Sequence, residues 1–104
     1  MVFEWDPEKN RLNVAKHGVA FEDIPALFDA PYLQTEDRRK DYGETRYQVI
    51  GRVAEFIVYV VFTFRGKTRR IISARLANRD ERAVYEEAIQ NRLAALEGDE
   101  RGRD

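Results

Sequence analysis

The sequence has no cysteine, one histidine and no long apolar run. Without cysteine, disulfide bonds, thiol catalysis and thiolate metal sites are excluded. Because His17 is the only histidine, one chain cannot hold two histidines that act as general acid and base. The longest apolar stretch, residues 56–64, is interrupted by Thr63 and is far shorter than the ~18 residues of a membrane-spanning helix. The first residues lack the basic start and apolar segment of a signal peptide, so we expect a cytoplasmic protein without membrane contact.

Charge is unevenly distributed along the 104 residues, a length that suits one domain. The chain has a formal net charge of −1, but residues 65–82 hold seven basic and two acidic side chains, a local charge of +5. Such a patch can recruit phosphate at one place. The alternative is that its arginines are simply solvated on strand edges and a helix surface. We expect one domain over residues 1–97 and a disordered polar tail over residues 98–104.

Two helices are predicted near the start of the chain. Asp6 is a good N-cap, because its carboxylate can accept hydrogen bonds from the free amides of the first turn, and Pro7 suits the first helical position. This helix should run to about Lys16 and end at Gly18 in the left-handed conformation. A second helix should lie within residues 21–29, where apolar side chains recur at helical spacing. Because of Pro25, either its first turn is distorted or it starts at Asp23 with Pro25 in the first turn.

Strands and a last helix follow. A possible strand at residues 32–35 and a charged loop at 36–43 precede three strands, at residues 45–50, 55–64 and 69–76. The turns between these three strands are short, which favours an antiparallel meander. A helix should start at Asn78, with Glu81 completing a capping box. This order predicts an α+β fold with two N-terminal helices, an antiparallel meander of three to four strands and a C-terminal helix.

The last hairpin of the predicted sheet decides which arginines share a face. A tight turn would place Phe64 opposite Arg69 and Val58 opposite Arg75. Side chains alternate along a strand, so Arg69 and Arg75 would then lie on one face and Arg70 on the other. This assignment reverses if the turn gains one residue.

Three blocks of sequence occur together in an order that is typical of one family. The blocks are Trp5-Asp6-Pro7-Glu8-Lys9 with Asn13 and Lys16-His17-Gly18-Val19-Ala20-Phe21; Glu44-Thr45-Arg46-Tyr47 with Ile50-Gly51; and Arg70-Ile71-Ile72-Ser73-Ala74-Arg75 with Ala77, Glu81-Arg82 and Tyr85-Glu86. In order and spacing they resemble the BrnT family of toxins, over about residues 3–87. Pro25 and Ala20 depart from the family pattern, which usually has a small helix former and a serine at these positions.

The resemblance implies a fold similar to that of the RelE-type ribonucleases. It also implies RNA cleavage that inhibits translation and growth, and neutralisation by a cognate BrnA-like antitoxin with a ribbon-helix-helix DNA-binding domain. Operator DNA would be contacted only through that antitoxin. The expected partners are therefore the antitoxin and an RNA substrate.

Cleavage of RNA without a metal needs a base for the 2′-hydroxyl, cations for the phosphorane and an acid for the 5′-oxygen. Arginine best matches phosphate oxygens, so Arg65 and Arg75 are the candidate catalytic cations. His17 could carry the proton, since its reference pKa is near 6.5. Tyr59, Lys67 and Glu81 are weaker candidates for proton transfer. The candidates for further RNA or phosphate contacts are the remaining basic side chains of the patch around the last strand, Lys67, Arg69, Arg70 and Arg79.

Each of these roles has a structural alternative. Arg75 could pair with Glu81 and fix the last helix to the sheet, Arg70 could form an inner salt bridge, and His17 at a helix C-terminus could favour the exposed carbonyls. Acidic residues are scattered along the chain, so we expect neither a metal site nor a cofactor. At the level of function, the alternatives to a metal-independent endoribonuclease are a non-catalytic binding module and a co-repressor subunit that docks a DNA-binding partner.

Overall fold

The structure, a computed structural model, describes the backbone of residues 1–102 and the side chains of residues 1–92. One five-stranded sheet has the strand order β1-β5-β4-β3-β2. Its elements follow the chain in the order β1 (Val2–Glu4), α1 (Pro7–His17), a 3₁₀ helix (Phe21–Asp29), β2 (Leu33–Asp37), β3 (Arg46–Val53), β4 (Phe56–Arg65), β5 (Thr68–Leu76) and α2 (Arg79–Gly102). The α+β class is confirmed. The predicted count of three to four strands is wrong, because the sheet has five strands and β1 was not expected. The predicted tail, residues 98–104, lies outside the residues whose side chains are described.

Helix α1 begins and ends where the sequence predicts. The Asp6 carboxylate accepts hydrogen bonds from the amides of Glu8 and Lys9 at 2.8 and 3.3 Å. Gly18 has a φ of 71° and donates its amide to the carbonyl of Val14 at 2.8 Å. Both caps satisfy backbone groups that a helix end otherwise leaves without partners.

The second helix is a 3₁₀ helix instead of an α-helix. Pro25 lies inside it, and a proline there removes an amide that an α-helix would need. Phe21, Ile24 and Leu27 are spaced by three residues, which matches the three residues per turn of a 3₁₀ helix, and all three are fully buried. Ala20 supplies no side-chain cap. The predicted position is confirmed, and the predicted distortion extends over the whole helix.

The unexpected strand β1 pairs in parallel with the first three residues of β5. Beyond it, the side chain of Asn13 continues the edge, because its amide donates to the carbonyl of Ala74 at 2.7 Å and accepts from the Ala74 amide at 3.2 Å. A second bond from the same amide reaches the carbonyl of Val19 at 2.8 Å. Helix α1 is therefore fixed to the strand that carries Arg75.

A bulge changes the register that the sequence predicts for the last hairpin. Phe64 pairs with Arg69 as expected, but the register shifts next to Val61 and Phe62, so that Tyr59 and not Val58 lies opposite Arg75. One extra residue in β5 inverts the alternation beyond it. The prediction that Arg69 and Arg75 share a face is wrong, because Arg75 lies on the same face as Arg70.

The two faces of the sheet are covered differently. The α1 and 3₁₀-helix side carries the main core, which consists of Phe21, Ile24, Leu27, Val49, Val58, Val60, Phe62, Ile71 and Ala74. On the other face α2 packs only over a smaller group around Ile57, Ala77 and Tyr85. Tyr85 also donates its hydroxyl to the carbonyl of Pro31 at 3.0 Å. Within the described chain, no helix combines the length and apolarity that crossing a membrane requires.

Candidate functional site

Arg75 is held at the junction of β5 and α2. Its Nη1 and Nη2 atoms donate to the two carboxylate oxygens of Glu81 at 2.7 and 2.9 Å, and Nη1 also donates to the carbonyl of Leu76 at 3.2 Å. Its guanidinium lies 4.1 Å from the centre of the Tyr59 ring, a cation–π contact. The alternative in which Arg75 pairs with Glu81 is therefore what the structure shows.

Glu81 also forms the predicted capping box. Its carboxylate accepts the amide of Asn78 at 2.9 Å, and its own amide donates to the Asn78 side chain at 2.8 Å. The hydrogen bond from Arg75 is the main cause that lowers the pKa of Glu81, with burial opposing it and the Asn78 amide adding to it. Glu81 is thus ionised and fixed, and it orients the guanidinium of Arg75.

A second arginine–carboxylate pair lies at the end of β2. The Asp37 side chain is only 1% exposed, and it accepts Nε and Nη2 of Arg39, each at 2.8 Å. The Tyr42 hydroxyl donates to the same carboxylate at 3.1 Å. The pKa of Asp37 is held well below its usual range, chiefly by Arg39 and against the effect of burial, with smaller contributions from Gln48 and Tyr42.

Both pairs act electrostatically on Tyr59, and Arg75 also stacks on its ring. This residue is 7% exposed, and burial raises the pKa of its hydroxyl while the positive charges of Arg39 and Arg75 oppose that rise. Within residues 1–92 its hydroxyl makes no hydrogen bond that meets ordinary geometric limits. We call these five residues, Asp37, Arg39, Tyr59, Arg75 and Glu81, the Tyr59 cluster.

The Tyr59 cluster keeps hydrogen-bonding capacity for a ligand. A guanidinium has five N–H donors. Arg75 uses three of them within the described chain, which leaves two, and the Arg39 side chain uses two, which leaves three. The cluster has two cations and two carboxylates, so its formal charge is zero. Chemically, it can present oriented donors to a phosphate without a large local excess of positive charge.

Arg65 and Lys67 lie at the exposed tip of the β4–β5 hairpin. Arg65 pairs with Thr68 in the strand ladder, and the turn between them contains Gly66 with a φ of 62°. Among the side chains of residues 1–92, none forms an ion pair with either residue. Both cations are therefore available to a ligand at the hairpin tip.

Arg69 and Arg70 lie on opposite faces. The guanidinium of Arg69 lies on the core face, 4.9 Å from the rings of both Phe28 and Phe64, and its buried Nε has no hydrogen-bond partner among the described residues. Arg70 donates to Glu4 of β1 at 3.1 Å, which is the inner salt bridge considered as its alternative role. Neither arginine joins the Tyr59 cluster.

His17 and Arg79 lie in other places. His17 is half-buried in the last turn of α1 and lines a shallow hollow with Lys16 and Ser73. No hydrogen bond between His17 and Arg75 occurs within residues 1–92. Arg79 is exposed in the first turn of α2 and lines a different hollow. The predicted site residues are thus divided among several surfaces.

Sequence reasoning missed Asp37 and Arg39 altogether and gave Tyr59 only a weak role. Asp37 and Arg39 fell in the segment interpreted as a charged loop, whereas β2 extends to Asp37 and pairs it with Arg46. In the part of the chain that the structure describes, no three acidic or histidine side chains are close enough to hold a metal ion.

The comparison with known families agrees with the resemblance of the three sequence blocks to the BrnT toxins. No curated protein matches the sequence. The model of the ribonuclease toxin BrnT of type II toxin–antitoxin systems matches residues 5–81, a segment that contains the whole Tyr59 cluster and ends at Glu81. This match covers well over half of the 104 residues. The chain therefore belongs to the BrnT family of ribonuclease toxins of type II toxin–antitoxin systems.

Proposed function

We propose that this protein is a metal-independent endoribonuclease and that the Tyr59 cluster is its active site. The observation that carries the proposal is that the guanidinium of Arg75, oriented by two hydrogen bonds to Glu81, stacks on the ring of Tyr59, while a second carboxylate-bound guanidinium, that of Arg39, acts electrostatically on the same tyrosine. Donors that are fixed before the reaction stabilise developing charge without reorganising. The family membership supports the ribonuclease activity.

In this proposal Arg75 and Arg39 bind the scissile phosphate. Their unused N–H groups match the oxygens of a phosphorane, and an ammonium group could not reproduce that planar geometry. Glu81 and Asp37 act as positioning residues, because each binds an arginine through two hydrogen bonds. Tyr59 supplies a hydroxyl beside the same phosphate.

Arg65 and Lys67 extend the proposed RNA contact. They lie at the exposed end of the strand pair that carries Tyr59 and Arg75, and they have no ion-pair partner within the described side chains. We place them on phosphates that flank the cut. Contacts of this type weaken as salt concentration rises, so their contribution to RNA affinity should fall at high salt.

His17 is a second candidate for the proton carrier. Its hollow includes Ser73, which lies two residues before Arg75 on the same strand. The observation that favours a purely structural role is its place in the last turn of α1, where a cation stabilises the helix end.

The proposal is tested by cleavage of an end-labelled RNA fragment with purified protein in the presence of a chelator. Attack by the 2′-hydroxyl should leave a 2′,3′-cyclic phosphate on the upstream product. Arg75→Ala and Arg39→Ala should each cleave much more slowly, whereas Arg11→Ala, which removes an exposed arginine paired with Glu8 on α1, should cleave normally. Loss of cleavage on chelation, or full activity of both cluster variants, would refute the assignment.

A second candidate function follows from the neutral charge of the cluster. If Arg75 and Glu81 serve only to fix α2 to the sheet, the protein is a binding module or a co-repressor subunit that docks a DNA-binding partner. Purified protein that binds the antitoxin but cleaves no RNA would favour this alternative.

In the cell, we propose a cytoplasmic toxin that arrests growth when it is expressed alone. Its partner would be a BrnA-like antitoxin with a ribbon-helix-helix domain, and operator DNA would be bound only through that antitoxin. Normal growth at confirmed soluble expression of the wild-type chain would contradict this proposal.

A further inference from the structure

A groove that is distinct from the Tyr59 cluster lies where the β3–β4 turn meets the end of β5 and the first turns of α2. It has a volume of about 540 Å³. On α2 it is lined by residues 79, 82, 83 and 86, which recur at helical spacing on one side of the helix. Glu81 and Tyr85 face the sheet instead. The groove and the cluster therefore use different sides of the same helix.

Part of the groove lining is apolar and exposed. Phe56 and Leu76 are 50% and 49% exposed, although most large apolar side chains of the sheet are buried. The same two residues also border an adjoining hollow of about 210 Å³ beside Val53 and Ile24. Exposed apolar side chains that line neighbouring depressions are typical of an interaction site.

The rim of the groove is basic. It carries Arg52, Arg79 and Arg82, and none of them forms an ion pair within residues 1–92. Two of these arginines lie in the first turns of α2, where the helix dipole disfavours a positive charge. Glu55 and Glu86 also line the groove, so the arginines outnumber the carboxylates there.

We propose that this groove, defined by Arg52, Phe56, Leu76, Arg79 and Arg82, is the docking site for an acidic amphipathic segment of the antitoxin. A large apolar side chain of that segment would lie between Phe56 and Leu76, and its carboxylates would pair with the three arginines. The opposite charges at the rim would speed the association of the antitoxin segment with the groove and fix its alignment, and the apolar contact would slow its dissociation. The inference rests on the pairing of this family with an antitoxin and not on the chemistry of RNA cleavage.

Two variants test the inference against the purified full-length antitoxin encoded beside this chain. Phe56→Ser removes an exposed apolar side chain of the lining, and the double variant Arg52→Glu with Arg82→Glu reverses charge at the rim. Each should raise the Kd for the antitoxin by about tenfold or more, as expected for central interface contacts. The matched controls are Val84→Ser, an exposed apolar residue outside the groove, and Arg11→Glu on α1, and each should change the Kd less than about twofold.

The outcomes separate the possible occupants. If all variants bind the antitoxin with equal affinity, the inference is overturned. It is also overturned if the charge-reversal variant loses affinity for RNA and keeps its affinity for the antitoxin. All variants are at exposed positions, and a thermal unfolding transition like that of the wild type would show that they are folded. If the wild-type chain cleaves no RNA but the groove variants still lose antitoxin affinity, the inference stands and the proposed ribonuclease function fails.

Discussion

Replacement of Arg75 by alanine separates the catalytic role of this residue from its structural one. The substitution removes two hydrogen bonds to Glu81, one to the carbonyl of Leu76 and the stacking on Tyr59. Hydrogen bonds to charged groups contribute roughly 1.5–3 kcal/mol and exposed ion pairs about 0–1 kcal/mol. The two side chains are 35% and 19% exposed, so an intermediate loss of about 1–2 kcal/mol is expected.

That loss leaves the protein folded. Domains of this size have a free energy of unfolding of roughly 5–15 kcal/mol, and each kcal/mol lowers Tm by about 4–8 °C. Arg75→Ala should therefore unfold at a Tm lower by about 4–16 °C and still be folded at 25 °C. RNA cleavage at 25 °C should fall by about 10²-fold or more, because one oriented donor to the phosphorane is lost.

Two further variants make the assay decisive. Arg75→Lys should also cleave poorly, since an ammonium group cannot reproduce the planar fork. Glu81→Gln loses the charge that orients Arg75 but keeps the guanidinium, so it should retain more cleavage than Arg75→Ala at a similar loss of stability. Both are measured by cleavage and thermal unfolding on the same preparations. Arg75→Ala with full cleavage, or unfolded at 25 °C, would show that Arg75 is structural.

Further predictions concern stability and the role of His17. The pKa of Asp37 is lowered in the folded state, so the ionised carboxylate stabilises the fold above its unfolded pKa of about 3.9. This contribution is lost as pH falls toward the folded pKa. In unfolding experiments at different pH values, the difference in stability between wild type and Asp37→Asn should therefore shrink below about pH 4. Asp6→Ala should lose about 0.5–2 kcal/mol in denaturant unfolding and keep its cleavage activity, because only the cap of α1 is removed. Gly51→Ala should destabilise the fold by roughly 1–3 kcal/mol, because a Cβ there would lie 2.5 Å from Cγ of Leu27, and an unchanged Tm would contradict this. His17→Ala should lower Tm slightly and keep cleavage if His17 only stabilises the helix end, whereas lost cleavage at unchanged Tm would identify it as the proton carrier.

Features that depend on neighbours in the chain could be predicted from the sequence. The caps at Asp6 and Gly18 and the capping box of Asn78 with Glu81 each join residues a few positions apart, so their residue types determine them. The sequence also predicts the pairing of Arg75 with Glu81, as one alternative, because only six positions separate them.

Features that depend on distant residues could not be predicted. Strand β1 has only three residues, too few for a periodic pattern, and it pairs with β5 more than 60 positions later. The buried Asp37 was hidden among exposed charges, because burial of a carboxylate is decided by the Arg39, Tyr42 and Gln48 side chains that surround it.

The bulge in β5 is the clearest case in which one such feature determines the site. A regular hairpin would place Arg75 on the core face, where it would be buried among the apolar side chains under α1 and the 3₁₀ helix. The extra residue turns Arg75 to the face that α2 only partly covers, opposite Tyr59 and within reach of Glu81. Asn13 then binds the backbone of Ala74, the residue just before Arg75, so the shifted segment is held from its free edge. The position of the guanidinium in the Tyr59 cluster thus results from an irregular strand and a helix side chain that stabilises it.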